Sequence, residues 1–428
     1  MVESTGPTTD LQDPREATLR DLAWRDLIPP VLAVTPVAWG LAAAQMLLRL
    51  LTHGNYGVFR DEFYYLACAD HLAWGYVDHP PLSIALLWLQ RALFGDSVIA
   101  LRLLPTLAAG FLVLMTAVLA RELGGGRFAQ GLAALTAASV PQYLGMTGFY
   151  SMNAIDLVVW VLVLWLVARV VITDDPRLWL PVGLVAGLGL LNKISVLLLG
   201  LGLVVGLLAT PLRRHLRSRW LWLGGGLAGL LFLPHLIWQM VHGWPTLEFI
   251  ANAIRYKIAA LSTLDFLATQ VMDMSPFLLP LWLAGLLYLL FDKQGRRFRV
   301  LGLIYVAVLV VLIALRGKPY YLAPTYPVLL AAGCVATGRL LAHGRRRWLR
   351  PVLVVFLLLT GALTAPMAAP ILPVERFIAY QRALRMQPTS AEDNVLGPLP
   401  PHFADRFGWQ ELTTAVVAVW KSLPEEER

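Results

Sequence analysis

Long apolar runs separated by short charged loops set the pattern of this chain. Eleven such runs fall at roughly 28–51, 98–121, 128–146, 152–172, 177–191, 194–210, 219–241, 266–291, 299–315, 321–341 and 351–372. Each is long enough, or nearly so, to cross about 30 Å of hydrocarbon as a helix. The fifth and sixth are short and meet at Asn192-Lys193. Two short tilted helices or one broken helix fit there. The stretch 52–97 is different, being only half apolar. Within it Leu82 to Phe94 places Ile84, Leu87, Trp88 and Arg91 on nearby turns behind Pro80-Pro81. A helix started by those prolines would lie in the membrane interface rather than span it. After residue 373 the composition turns polar. Gly397-Pro398-Leu399-Pro400-Pro401 reads as a rigid linker and Trp409 to Leu423 as a helix, in a piece too small for a core of its own. The expected fold is an all-α polytopic membrane protein of about eleven transmembrane helices with an outer juxtamembrane amphipathic helix. Its parts are a cytoplasmic segment 1–27, a transmembrane domain 28–372 and an extracytoplasmic tail 373–428.

Composition agrees. Hydrophobic residues make up 58% of the chain and charged residues 14%, whereas soluble domains run near a quarter charged. The 15 tryptophans suit a protein with two membrane–water interfaces. A net charge of +8 would also fit a nucleic-acid binder. Here the basic residues cluster in short loops, the pattern of topology signals and anionic headgroups. Cys68 and Cys334 fall in a loop and inside a span, so neither a disulfide nor a thiol site is expected. No charged-then-apolar-then-small pattern precedes the first span, which is expected to direct insertion itself.

The loops alternate in charge. Arg213-Arg214-His215-Leu216-Arg217, Lys293-Gln294-Gly295-Arg296-Arg297 and Arg345-Arg346-Arg347 occupy one alternate set. The positive-inside rule puts that set in the cytoplasm, with the amino terminus, and puts the loop 52–97 outside.

Polar groups collect on the outer side. Arg60-Asp61-Glu62-Phe63-Tyr64-Tyr65 opens the first outer loop, and Gly75-Tyr76-Val77-Asp78-His79-Pro80-Pro81-Leu82 continues it. Asp156 lies inside the fourth span, Lys193 at the junction of the fifth and sixth, Arg255 after the seventh. Arg316-Gly317-Lys318-Pro319-Tyr320-Tyr321 lies between the ninth and tenth. Adjacent carboxylates beside aromatics at a membrane surface, and cations arriving from several loops, fit an anionic substrate and its own acid or base. Each residue also has a plainer reading. Asp61 and Glu62 fit solvated loop charges, and Asp156 a packing pair. Lys193, Arg316 and Lys318 fit headgroup contacts, and His79 a helix-start residue.

These stretches resemble the GT-C glycosyltransferases of the protein O-mannosyltransferase and aminoarabinose transferase superfamily. The resemblance rests on Asp61-Glu62-Phe63-Tyr64-Tyr65 through Leu82, on Leu191-Asn192-Lys193, and on Lys318-Pro319-Tyr320-Tyr321-Leu322-Ala323-Pro324-Thr325-Tyr326-Pro327. Leu399 to Trp409 resembles the start of the outer domain in bacterial members. The resemblance implies a bacterial inner-membrane enzyme that moves a sugar from a polyprenyl-phosphate donor to a glycan, lipid or protein acceptor outside the cytoplasm. Transfer is expected to invert the anomeric centre, with Asp61 as general base. His79 departs from the lysine that members closest to the aminoarabinose enzyme carry ahead of the proline.

Such a transfer needs a base for the acceptor hydroxyl and cations for the leaving phosphate. Asp61 is the candidate base. Glu62 is the candidate for sugar hydroxyls or for holding Asp61. Tyr65, Asp78, His79, Asp156, Lys193, Arg255, Arg316, Lys318, Tyr320 and Tyr321 are candidates for binding the donor's phosphate or sugar. No cluster has convincing metal-ligand spacing, so no cofactor is expected, although Asp61, Asp78 and His79 could hold a divalent ion. The rival readings are a lipid-linked glycan ligase or polymerase resting on arginine and histidine, and a transporter or lipid flippase, which predicts inverted repeats and polar groups at mid-membrane.

Overall fold

All eleven apolar runs fold as helix, the conformation in which a segment within hydrocarbon satisfies its own backbone polar groups. The computed structural model describes residues 29–256, 261–342, 344–386, 388 and 397–427. The segment 1–27 lies outside the described residues.

The longer helices are, in chain order, α1 (Pro36–Thr52), α2 (Arg60–Asp70), α3 (Leu82–Phe94), α4 (Leu103–Glu122), α5 (Arg127–Ser139), α6 (Met152–Thr173), α7 (Trp179–Asn192) and α8 (Val196–Leu208). They continue as α9 (Arg219–Val241), α10 (Pro245–Tyr256), α11 (Thr263–Asp273), α12 (Leu279–Phe291), α13 (Arg299–Ala314), α14 (Tyr326–Leu340), α15 (Leu349–Ala368), α16 (Val374–Ala383) and α17 (Trp409–Ser422). No strand occurs among the described residues. The amphipathic segment expected at Leu82 to Phe94 is α3, and the helix expected from Trp409 is α17.

Among the described residues, five helices are long and apolar enough to cross a membrane unbroken: Leu103–Glu122, Met152–Thr173, Arg219–Val241, Gly295–Ala314 and Gly344–Ala368. Two bent pairs, Val196–Leu208 with Pro211–Arg217 and Thr263–Asp273 with Pro276–Phe291, bring the number to seven. The other expected spans are shorter or interrupted. Helix α7 has 14 residues and α14 has 15, which rise only about 20 Å. Proline starts a new helix at Pro141, inside the third run, because it supplies no N–H to continue the old one.

The stretch 52–97, read as a polar loop, contains a second helix, α2. Its first turn explains this. The Glu62 carboxylate accepts the Phe59 N–H at 2.8 Å, the return half of a capping box. Asp61 and Glu62 both sit where a helix N-terminus favours negative charge.

Helices α4 and α6 pack together at the centre, with Trp160 and Trp165 fully buried. Helices α1, α5 and α14 surround α4, while α7 joins α6 to α9. The α7–α9 contact is backbone on backbone: a Cβ at Gly183 would lie 2.0 Å from the Gly224 carbonyl oxygen, so the approach needs glycine. Outer flanks carry exposed Trp222, Leu230, Val355 and Leu359 on α9 and α15, a surface suited to lipid.

Helix α6 fixes the two ends of the bundle. Its 22 residues rise about 33 Å. At its start stand α2, the Asn192-Lys193 junction and the turn Pro319–Thr325. At its end Asp174 meets Arg214 at 2.5 Å and His215 at 3.0 Å. The loop carrying Asp61 and the basic stretch around Arg214 therefore occupy opposite ends.

Candidate active site

Successive residues on α2 do different work, because a helix turns about 100° per residue. Glu62 points inward and is fully buried. It accepts four hydrogen bonds: Phe59 N at 2.8 Å, Tyr150 N at 2.8 Å, Arg102 Nε at 2.8 Å and Arg102 Nη2 at 2.5 Å. A carboxylate has about four such sites, so Glu62 is saturated by protein. Arg102, buried as well, donates further to the His53 and Gly57 carbonyls. Together they clamp the start of α2 to α4 and to the turn before α6. Asp61 points outward instead. Its side chain is 44% exposed and lies 3.1 Å from Arg60 Nε.

Further along α2, Tyr64 donates to Asp78 Oδ1 at 2.7 Å, and the Tyr65 hydroxyl accepts the Met152 N–H at 3.2 Å. Burial, then the bond to Asp78, pushes the Tyr64 hydroxyl far above its ordinary pKa. His79 is fully buried, stacked on Tyr65 at 5.0 Å and flanked by Tyr64 at 5.6 Å and Tyr76 at 5.0 Å. Its Nδ1 lies 3.0 Å from the Pro80 carbonyl, so that nitrogen carries the proton. Among the described residues its Nε2 has no hydrogen-bond partner, and it lies 3.8 Å from Asp78. Burial lowers the His79 pKa, which favours the neutral ring. The loop reaches this position by crossing α9 closely at Gly75. A Cβ there would fall 2.4 Å from the Trp238 ring.

The second and third stretches meet at the start of α6. Lys193 is buried and donates to Asn153 Oδ1 at 2.8 Å, with Asp156 Oδ2 at 3.6 Å. Ser195 donates to Asp156, and Asn192 Nδ2 donates to the Met152 carbonyl at 2.9 Å. The Lys193 ammonium lies 4.5 Å from the Tyr321 ring centre and 5.2 Å from that of Tyr320, within cation–π range. Burial raises the Tyr320 hydroxyl pKa well above its usual value, and Tyr321, Tyr65 and Asp61 add to the effect. Tyr320 thus lies between the Lys193 group and the Asp61 helix.

The structure accordingly brings Asp61, Tyr65, Asp78, His79, Asp156, Lys193, Tyr320 and Tyr321 around one end of α6. Arg255 and Arg316 are exposed, and their side chains make no hydrogen bond or ion pair to other described residues. Arg255 lies over the ring of its neighbour Tyr256 at 5.1 Å. Lys318 caps the start of the Pro319–Thr325 turn. Among the described residues no group of three His, Cys, Asp or Glu side chains could hold a metal ion.

Several residues that build the site escaped sequence reading. Arg102 stands at the polar end of an apolar run, a position that signals a partner but not which one. Asn153 and Ser195 are neighbours of Asp156 and Lys193, visible only once the two segments meet. Asp405, in the tail, meets Arg60 at 3.0 Å through Nη1, and Arg60 N–H donates to its carbonyl at 3.0 Å.

Residues 78–238 match the family model described as dolichyl-phosphate-mannose-protein mannosyltransferase. Among solved structures, ArnT from Cupriavidus metallidurans bound to undecaprenyl phosphate superimposes with a TM-score of 0.58 at 16% identity, covering 87% of this chain and 75% of that one. The apo form of ArnT gives 0.59 at 17% identity, covering 79% and 65%. An Archaeoglobus fulgidus oligosaccharyltransferase in complex with Zn and sulfate gives 0.54 at 17% identity, covering 77% and 52%. Comparison with curated proteins gives no match. This chain shares the fold of ArnT and of that oligosaccharyltransferase. It spans 65% of the apo ArnT chain and 52% of the archaeal one.

Proposed function

We propose that this protein transfers a sugar from a polyprenyl-phosphate donor to an acceptor hydroxyl on the extracytoplasmic side of a bacterial inner membrane. The observation that carries this is the convergence of three separated stretches at the start of α6, where Lys193 lies against the Tyr320 and Tyr321 rings and the accessible carboxylate of Asp61 acts on Tyr320. Two neighbours of the same fold carry, in their own structures, undecaprenyl phosphate and a dolichol-phosphate.

In this mechanism Asp61 accepts the proton of the acceptor hydroxyl as its oxygen attacks the anomeric carbon. The C–O bond to phosphate breaks on the opposite face, so configuration inverts. The phosphate leaves with its electron pair, and Arg255, Arg316 and Lys318 are the candidate cations whose charges stabilise it. Glu62 holds the helix that aims Asp61. The Asp156–Lys193 pair sets Tyr320 and Tyr321 against the donor sugar, and Tyr65, Asp78 and His79 form the wall beside it. The acceptor is a glycan, lipid or protein hydroxyl. With these cations serving the phosphate, chelation with EDTA should leave turnover nearly unchanged, and full loss restored by magnesium or manganese would instead place an ion near Asp61, Asp78 and His79.

The test is sugar release from a radiolabelled polyprenyl-phosphate donor by the protein in reconstituted vesicles, with cell-envelope extract as acceptor source. Transfer of label from lipid to acceptor supports the proposal. Label moved across the bilayer but still on lipid would instead identify a flippase. Label that stays on lipid in growing chains would identify a polymerase.

A further inference from the structure

Behind the clamp on α2, three guanidiniums from distant parts of the chain are buried together. Arg49 belongs to the last turns of α1, Arg102 to the start of α4, and Arg406 to the segment before α17; they are 1%, 0% and 5% exposed. Arg49 and Arg406 meet at Gly148. A Cβ on Gly148 would fall 3.1 Å from Arg49 Nη1, and Arg406 Nη2 lies 3.5 Å from the Gly148 carbonyl oxygen. Phe149 and Phe403 lie 6.0 and 5.9 Å from the Arg406 guanidinium.

Among the described residues the charges do not balance. Glu62 is the carboxylate bonded to this group, and Arg102 and two backbone N–H groups already saturate it. Arg49 spends Nη2 on the Tyr143 and Leu144 carbonyls and the Thr147 hydroxyl, and Arg406 spends Nε on the His402 carbonyl. Among the described residues, Arg49 Nε and Nη1 and Arg406 Nη1 remain buried without a hydrogen-bond partner. Buried cations with unmet donors are costly unless an anion accompanies them. The surroundings show the excess of positive charge. Burial lowers the Arg406 pKa to about 10, with Arg102 adding to the effect. Burial, then Arg102 and Arg49, lowers that of His53 to about 4.

We propose that Arg49, Arg102 and Arg406 form an enclosed binding site for one small inorganic anion, chloride or phosphate, which fastens the segment around Arg406 to the Asp61 end of the bundle. Enclosure excludes a bulky ligand, and the site is separate from the accessible Asp61. The anion is structural: it neutralises the excess charge and takes the unmet N–H donors.

The experiment is a thermal-unfolding titration of the full chain in detergent at constant ionic strength, with gluconate replaced stepwise by chloride and, separately, by phosphate. A saturable rise in Tm of a few degrees is expected for at least one of the two, as mass action requires for a ligand of the folded state. Arg406→Gln and Arg49→Gln should each abolish the dependence on anion identity. A flat Tm in both titrations on the unaltered chain overturns the proposal without any variant. An equal rise in both variants would mark a general salt effect and overturn it too. A third arm adds a short polyprenyl phosphate in gluconate. If that lipid alone reproduces the rise and chloride and phosphate do not, the group serves a lipid headgroup and the inorganic-anion assignment fails.

Discussion

Asp61 and Glu62 are adjacent in sequence and opposite in circumstance. One carboxylate is half-exposed beside Arg60, the other is sealed between Arg102 and two backbone donors. The pair of acids was legible in the sequence as unusual for a membrane surface. Their division of labour was not, because it depends on which side of α2 faces α4, and no local pattern states that. Glu62→Gln should cost about 3–5 kcal/mol of stability, since it leaves the Arg102 charge buried without its counter-charge. Thermal or denaturant unfolding in detergent checks this, and a loss below about 1 kcal/mol would mean the clamp is not formed. The cations were likewise legible as a set but not as individuals. Lys193 is engaged by Asn153 and two rings, whereas Arg316 stays exposed. Lys318→Ala and Arg316→Ala should each weaken donor binding by about 10-fold or more, the scale of a lost charge-assisted hydrogen bond. Donor affinity measured for both variants decides; if neither changes, those side chains only anchor headgroups.

At the scale of elements, periodicity located α3 and the helix that became α17, because each shows a repeating apolar face. Helix α2 went unseen because its sequence is dominated by charge and tyrosine, and its stability comes from the Glu62 cap and tertiary contacts. The segment after α16 was read as a tail without a core. In the structure its Phe403 is fully buried between Tyr56 and Phe377, and its Trp409 lies on Phe63. The contacts of Phe403 with Tyr56 and of Trp409 with Phe63 join residues more than three hundred apart, which no window along the chain reveals. They also carry a pH signature. Burial holds His402, and burial with neighbouring arginines holds His53, at about 4. A histidine whose folded pKa is depressed contributes stability that is full above its ordinary value of about 6.5 and is lost as pH falls toward 4. Tm should therefore be level above about pH 6.5 and fall between about 6.5 and 4. His402→Gln should flatten part of that fall, and an unchanged profile would show that His402 is not buried neutral.

For the whole molecule, alternation of basic loops separated two ends, and the structure puts the Asp61 loop and the Arg214 stretch at opposite ends of α6. The number of spans was less legible, because hydropathy counts apolar residues but not the bends and proline breaks that divide them. Single cysteines at positions 255 and 316 should react with an impermeant thiol reagent on intact cells, and those at 214 and 346 should not, in a Cys68→Ser, Cys334→Ser background. The reverse labelling would put the site in the cytoplasm and remove the main support for a lipid-linked donor. The most direct test joins the fold to the chemistry through one atom change. Asp61→Asn keeps size and hydrogen bonding but cannot take the acceptor's proton. In reconstituted vesicles with a radiolabelled polyprenyl-phosphate sugar, the variant should bind donor as the unaltered protein does and transfer label about 10²–10⁴-fold more slowly. Transfer within a few-fold of the unaltered rate, with donor binding intact, would contradict the assignment of Asp61 as the base.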